Sequence, residues 1–166
     1  MLIYNIKKMK NSLSKIALLT IFAFIVACGP GKVVKEAQDT FKGDWILNEV
    51  TYPGSTGSFN VTLFNDETAA CFTNSTWHFV ENNNTGTYTI QRTGCDSGER
   101  YFIWKVEEVN ETTGNYDFLF KPTNEKNDDL NENTGFRINL ISLTETNMVW
   151  EQTVNFEGDN FTIRME

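Results

Sequence analysis

After Lys42, apolar and polar side chains take alternate places along most of the chain. Phe102, Trp104 and Val106 oppose Tyr101, Lys105 and Glu107, and Tyr116, Phe118 and Phe120 oppose Asp117 and Lys121. Phe136, Ile138 and Leu140 oppose Arg137 and Asn139, while Met148, Trp150, Val154 and Phe156 oppose Glu151, Thr153 and Asn155. A period of two is the mark of a strand with one buried face. It predicts eight strands, at 43–52, 75–81, 86–91, 100–108, 116–121, 135–143, 148–156 and 160–165. The connectors at 82–86, 93–98, 110–115 and 157–160 are rich in Asn, Gly, Asp and Thr, which form turns. They are too short for parallel crossovers, so neighbouring strands should run antiparallel. The longest gap, 53–74, is predicted to hold an extra edge strand at 59–64 and a helical turn at 66–72. Eight such strands either split into a sandwich or close on themselves, and closure leaves no edge open to a neighbouring molecule. The expected fold is all-β, an eight-stranded antiparallel up-and-down barrel over residues 42–166.

The first 27 residues obey a different pattern. Lys7, Lys8, Lys10 and Lys15 come without an acid, and 16–27 is then apolar except for Thr20. That order is an export signal. Twelve helical residues rise about 18 Å, short of a hydrocarbon core about 30 Å thick, so a permanent transmembrane anchor is not expected. The run Ile25-Val26-Ala27-Cys28 resembles the lipobox of bacterial lipoproteins. The resemblance implies cleavage before Cys28, acylation of its sulfur and amino group with palmitate-type chains, and a mature protein held to a membrane by lipid. A plain secretory signal with a chance cysteine is the alternative. Gly29, with no acidic run directly behind it, implies delivery to the outer membrane, on its periplasmic or surface side. Residues 28–41 read as a lipidated tether, because they mix Gly, Pro, Lys and Gln without apolar periodicity.

Charge narrows the partners. The whole chain carries 14 bases and 22 acids, and removing the four lysines of the signal leaves 14 − 4 bases against the same acids, a net of −12. So acidic a surface argues against nucleic acid and against anionic headgroups, both of which need clustered Lys and Arg. Cys71 and Cys95 are the two cysteines left besides Cys28, and in an oxidising compartment they should form a disulfide. Two buried free thiols are the other possibility. With a single histidine and no C-x-x-C spacing, neither a metal site nor a cofactor is expected.

Gly43-Asp44-Trp45 opens the first predicted strand, and a Gly-x-Trp there followed by about eight antiparallel strands resembles the lipocalin and wider calycin pattern. The domain is more closely similar to the lipocalin-like lipoproteins of Bacteroidetes-type bacteria. In those, a cysteine before the second strand pairs with one after the third, as Cys71 and Cys95 would around 75–79 and 86–90. A late segment resembling 141–148 is also typical of them. The resemblance implies that Gly43 lets the strand approach closely, that Trp45 closes the barrel base, and that Arg164 packs over its indole. A middle Thr-Asp-Tyr signature of secreted lipocalins is absent, so the resemblance fixes no ligand.

Enzyme chemistry is not expected. His78 lies on the strand face opposite Trp77 and Phe79, and no nucleophile or second acid stands at a telling spacing. The acidic segment 127–133 places Asp129, Asn131 and Asn133 at alternate positions, but its glycine and twelfth residue are wrong for an EF-hand. Two readings of function remain. In the slightly favoured one, the barrel of a monomer binds a small hydrophobic ligand against Trp104, Phe118, Phe136 and Trp150. In the other, the barrel is filled by its own rings and the lipoprotein serves an envelope structural, protein-interaction or inhibitor-like role.

Overall fold

The computed structural model describes residues 32–56, 59–110, 115–130, 132, 134–156 and 159–166. The segment expected as an export signal and the expected acylation site, Cys28, lie outside these residues. In chain order the described elements are α1 (Lys32–Phe41), β1 (Gly43–Leu47), β2 (Val50–Thr51), β3 (Thr62–Leu63), β4 (Glu67–Thr68) and α2 (Ala69–Phe72). Then follow β5 (Ser75–Val80), β6 (Thr85–Ile90), β7 (Gly98–Asn110), β8 (Asn115–Thr123), β9 (Phe136–Leu143), β10 (Met148–Phe156) and β11 (Asp159–Met165).

Nine strands form one antiparallel sheet in the order β1-β5-β6-β7-β8-β9-β10-β11-β2, with β3 and β4 as a separate hairpin. The expected count was eight. The difference lies in the first predicted strand, which bends at Asn48 and Glu49 into two pieces that serve opposite edges. β1 pairs with β5, and β2 pairs with β11. The Asn48 and Glu49 amides both donate to the Glu166 carbonyl, at 2.7 and 3.1 Å, and the Glu166 amide donates to the Glu49 carbonyl at 3.0 Å. One stretch of chain thus bridges the two edges, and the sheet becomes a nearly closed barrel, with β2 joined to β11 at Arg164 and Met165.

The segment expected as a tether is helical from Lys32. Val34, Ala37 and Phe41 recur at i, i+3 and i+7, so they share a helix face, and that face packs on the core. Phe41 is fully buried. Lys35 and Lys42 both pair with Glu81 at the β5–β6 turn, which puts α1 at that end of the barrel. Gly43, at φ +110°, then takes a conformation that side chains rarely adopt, and the chain turns from helix into β1.

Residues 59–74 close the opposite end. Leu63, Phe64 and Phe72 are buried there. The Asp66 amide donates to the Leu63 carbonyl at 2.9 Å across a tight turn, with Phe64 and Asn65 both at positive φ. Left-handed backbone costs a bulky residue on the order of 1–2 kcal/mol. The Phe64 ring offsets that cost by packing 4.5 Å from Phe120 and 5.5 Å from Phe136, centroid to centroid. A Cys71–Cys95 disulfide ties this cap to the β6–β7 turn, as the cysteine count predicted. Beside it Arg92 donates to the Ala70 carbonyl, and the Asp96 amide donates to the Glu67 carboxylate at 3.0 Å.

Between the caps, the inward rows are those the alternation marked. Trp77 and Phe79 of β5, Tyr88 and Ile90 of β6, and Phe102, Trp104 and Val106 of β7 are buried, with Phe118 and Phe120 of β8 facing them. Gly86 is the one small residue in the β6 row. A Cβ there would sit 2.3 Å from Phe102 Cζ and 2.5 Å from the His78 carbonyl oxygen. The vacancy of a side chain lets the Phe102 ring lie directly on the strand.

Candidate functional site

Three of the four rings expected to line a ligand cup, Trp104, Phe118 and Trp150, are buried inside the barrel, and Phe136 is half-buried. Phe118 and Trp150 meet edge to face at 5.5 Å. The space around them is occupied by other rings of the same chain. Phe41 stacks on Phe118 at 5.1 Å and on Trp104 at 5.5 Å, and its edge meets Phe79 at 5.3 Å. Trp77 stacks on Tyr88 at 4.6 Å and meets Trp150 at 5.1 Å. Phe136 belongs to the other end, against Phe64. Trp104 lies 6.3 Å from Phe118, which meets Trp150, so three of the four form one cluster and Phe136 stands apart from it. The cluster sits in a core crowded with other aromatic side chains.

The polar atoms that reach the interior are mostly satisfied. Trp77 Nε1 donates to Ser75 Oγ at 2.9 Å. The Tyr88 hydroxyl donates to Asp66 at 2.8 Å, and Arg100 donates to the same carboxylate at 3.1 Å and to the Asp96 carbonyl at 2.7 Å. Burial first, and then the Asp66 charge, push the Tyr88 hydroxyl well above its ordinary range. This cluster binds the cap to the wall.

The residues of the expected barrel base divide between two tasks. Trp45 is half-buried, and its Nε1 donates to the Phe41 carbonyl at 2.8 Å. It thereby satisfies one of the carbonyls that a helix end leaves without partners. Arg164 pairs with Glu151 at 2.6 Å and reaches Glu166 at 4.0 Å. His78 faces outward, opposite Trp77 and Phe79, and its Nδ1 lies 2.7 Å from Asp44. After β8, Asn124 Oδ1 accepts from the Lys126 and Asp128 amides, which folds residues 124–128 into a turn. Among the described residues, no three His, Cys, Asp or Glu side chains converge as metal ligands do.

One concavity on the described wall was not anticipated as a site from the sequence, although Trp104 and Phe136 are among the residues that line it. It is a groove of about 560 Å³ on the outside of β7, β8 and β9, flanked by Asn83 and Asn84 of the β5–β6 turn. Ile103 and Lys105 alternate with buried Phe102, Trp104 and Val106, and so point away from the core. Register sets their neighbours. Ile103 stands opposite Lys121, Lys105 opposite Leu119, and Leu119 in turn opposite Arg137. The outward side chains are thus two apolar ones among three cations, and Trp104, Phe120, Gly135 and Phe136 also line the space. Lys105 pairs with Glu107 at 2.7 Å, Lys121 with Asp129 at 3.6 Å, and Arg137 with both Asp117 and Glu107. The Lys105 ammonium, and after it Arg137, hold the Glu107 carboxyl below its usual value. A hydrogen bond to Asp117 raises the Arg137 guanidinium.

Compared with protein-family models, curated proteins and solved structures, the chain matches none of them.

Proposed function

We propose that this is an exported lipoprotein, acylated at Cys28, whose lipocalin-like barrel has a solid core and works through its outer surface as an interaction module of the cell envelope, outside the cytoplasm. The observation that carries this reading is the seat of Phe41. The helix directly behind the anchor places a ring among Phe79, Trp104 and Phe118, where a guest entering that end would have to lie. The cap at the other end does the same with Phe64 and Phe72. Small-ligand sites are concave spaces of several hundred Å³. On this barrel a space of that size lies on the outside of the wall. The amino-terminal lysines, the apolar run and the Ala27-Cys28 junction support the lipid anchor, and acyl chains hold a protein without any basic patch.

Two measurements test the reading. Native mass spectrometry of the protein purified from its host should give the mass of the acylated chain with no retained small molecule. Replacing Cys28 with Ser should move the protein from the membrane fraction to the soluble envelope fraction. A stoichiometric apolar guest would restore the ligand-carrier reading, in which Trp104, Phe118 and Trp150 line a cup that opens when α1 moves aside. Membrane retention of the Cys28→Ser chain would remove the anchor.

A further inference from the structure

We infer that the outer groove on β7–β9 is a binding site for a small anionic amphiphile, a molecule with one carboxylate or phosphate and an apolar body of fatty-acid size. The inference rests on the outer-wall reading above and gives it a chemical class.

The chain has 22 acids and 14 bases, yet the described residues lining this groove include Lys105, Lys121 and Arg137 and no carboxylate. The acids that pair with these cations, Glu107, Asp117 and Asp129, lie outside its lining. Two of the cations remain well exposed, with 61% of the Lys105 and 57% of the Arg137 side chain accessible. Lys105 can therefore accept a second anion, and Arg137 a third, without leaving the acids they already hold.

Register supplies the geometry. Directly opposed residues on neighbouring strands have Cβ atoms roughly 5 Å apart. Lys105 and Arg137 therefore flank Leu119 from both sides, and Lys121 stands across from Ile103 in the adjoining row. An anionic head placed over this lattice is within reach of all three cations, while its body covers Ile103 and Leu119. The side-chain amides at Asn83 and Asn84 border the site, though Asn84 Nδ2 is already committed to the Trp104 carbonyl at 3.1 Å. Under the middle of the groove β8 is paired on both sides across Tyr116–Phe120, so it offers no edge there for an added peptide strand. A volume of about 560 Å³ suits a small molecule.

The test is methyl NMR of the full chain in zwitterionic nanodiscs, titrated with decanoate and, separately, with decanol. Ile103 and Leu119 report on the groove, while buried Ile138 and Ile163 report on the interior. Saturable shifts at Ile103 and Leu119 are expected with decanoate, at least tenfold weaker with decanol and weaker again at high salt. The Lys105→Gln/Arg137→Gln chain should bind decanoate at least tenfold more weakly while Ile138 and Ile163 keep their positions. Lys121→Gln is a second, independent variant. Repeating the measurement with phosphatidylglycerol in the disc distinguishes a lipid headgroup from a free amphiphile as the source of the anion. Silence at Ile103 and Leu119 under both conditions overturns the inference and leaves the outer-wall reading standing. Shifts confined to Ile138 and Ile163 overturn both. Shifts with a Glu-rich peptide and none with decanoate would assign the groove to a protein partner and sink the amphiphile.

Discussion

Truncating Phe41 to Ala tests the self-filled barrel most directly. The ring is fully buried, with three aromatic neighbours at centroid distances of 5.1, 5.3 and 5.5 Å. Phe→Ala in a core costs about 3–5 kcal/mol, and a residual cavity of about 100 Å³ would account for roughly 2.4 kcal/mol of that at about 24 cal/mol per Å³. The loss should exceed that of an ordinary core site, because Phe41 also anchors α1. A ten-residue helix is marginal in water by itself. At about 2–8 °C per kcal/mol for domains near this size, thermal unfolding should fall by at least about 10 °C. Amide exchange should quicken across Lys32–Phe41 and leave β5 and β6 protected. The apolar hole should stay dry and admit benzene, which would recover part of the lost stability by mass action. A fall under about 3 °C, with α1 exchange unchanged, would refute the claim that this ring fills the barrel.

Other perturbations probe separate parts of the same construction. Gly86→Val would drive a side chain into Phe102 and the His78 carbonyl, and should destabilise by about 1–3 kcal/mol or more in urea denaturation. Replacing Cys71 and Cys95 together with Ser removes a loop closure worth roughly 3 kcal/mol, visible as a lower urea midpoint that reductant no longer changes. The amides of Asp96 and Thr68 hold the Glu67 carboxyl below its usual value, so its contribution is present above the unfolded carboxyl pKa of about 4.3 and is lost as pH falls through the lower folded value. A Glu67→Gln chain should therefore show a shallower acid limb in a stability–pH profile. Tyr88 behaves in the opposite sense. Its raised hydroxyl keeps its contribution up to an ordinary tyrosine pKa near 10 and loses it as pH climbs beyond, so Tyr88→Phe should flatten the alkaline limb.

The strands were legible because each carries its own signal. Phe102-Ile103-Trp104-Lys105-Val106 declares its buried face without help from any other segment, and all eight predicted runs are strands in the structure. The bend at Asn48 and Glu49 was not legible, because both halves of 43–52 have strand character and only the partner edges distinguish them. The cap was read in part. A strand at 59–64 and a turn at 66–72 became Thr62–Leu63 and Ala69–Phe72, but nothing local announces that Phe64 will accept positive φ to reach Phe120. The helix α1 was missed because only four of its ten residues are apolar and the segment follows Gly29-Pro30-Gly31. Phe41 acquires its meaning only from the rings it meets. The groove eluded single-strand reading for a related reason. Lys105 and Leu119 become neighbours through the β7–β8 register, and alternation within one strand carries no information about register between strands.

The early start of α1 also sets a distance. If Cys28 is acylated as proposed, Lys32 comes four residues later, a reach of no more than about 14 Å even when fully stretched. The barrel could then stray no farther than that from the lipid that holds it.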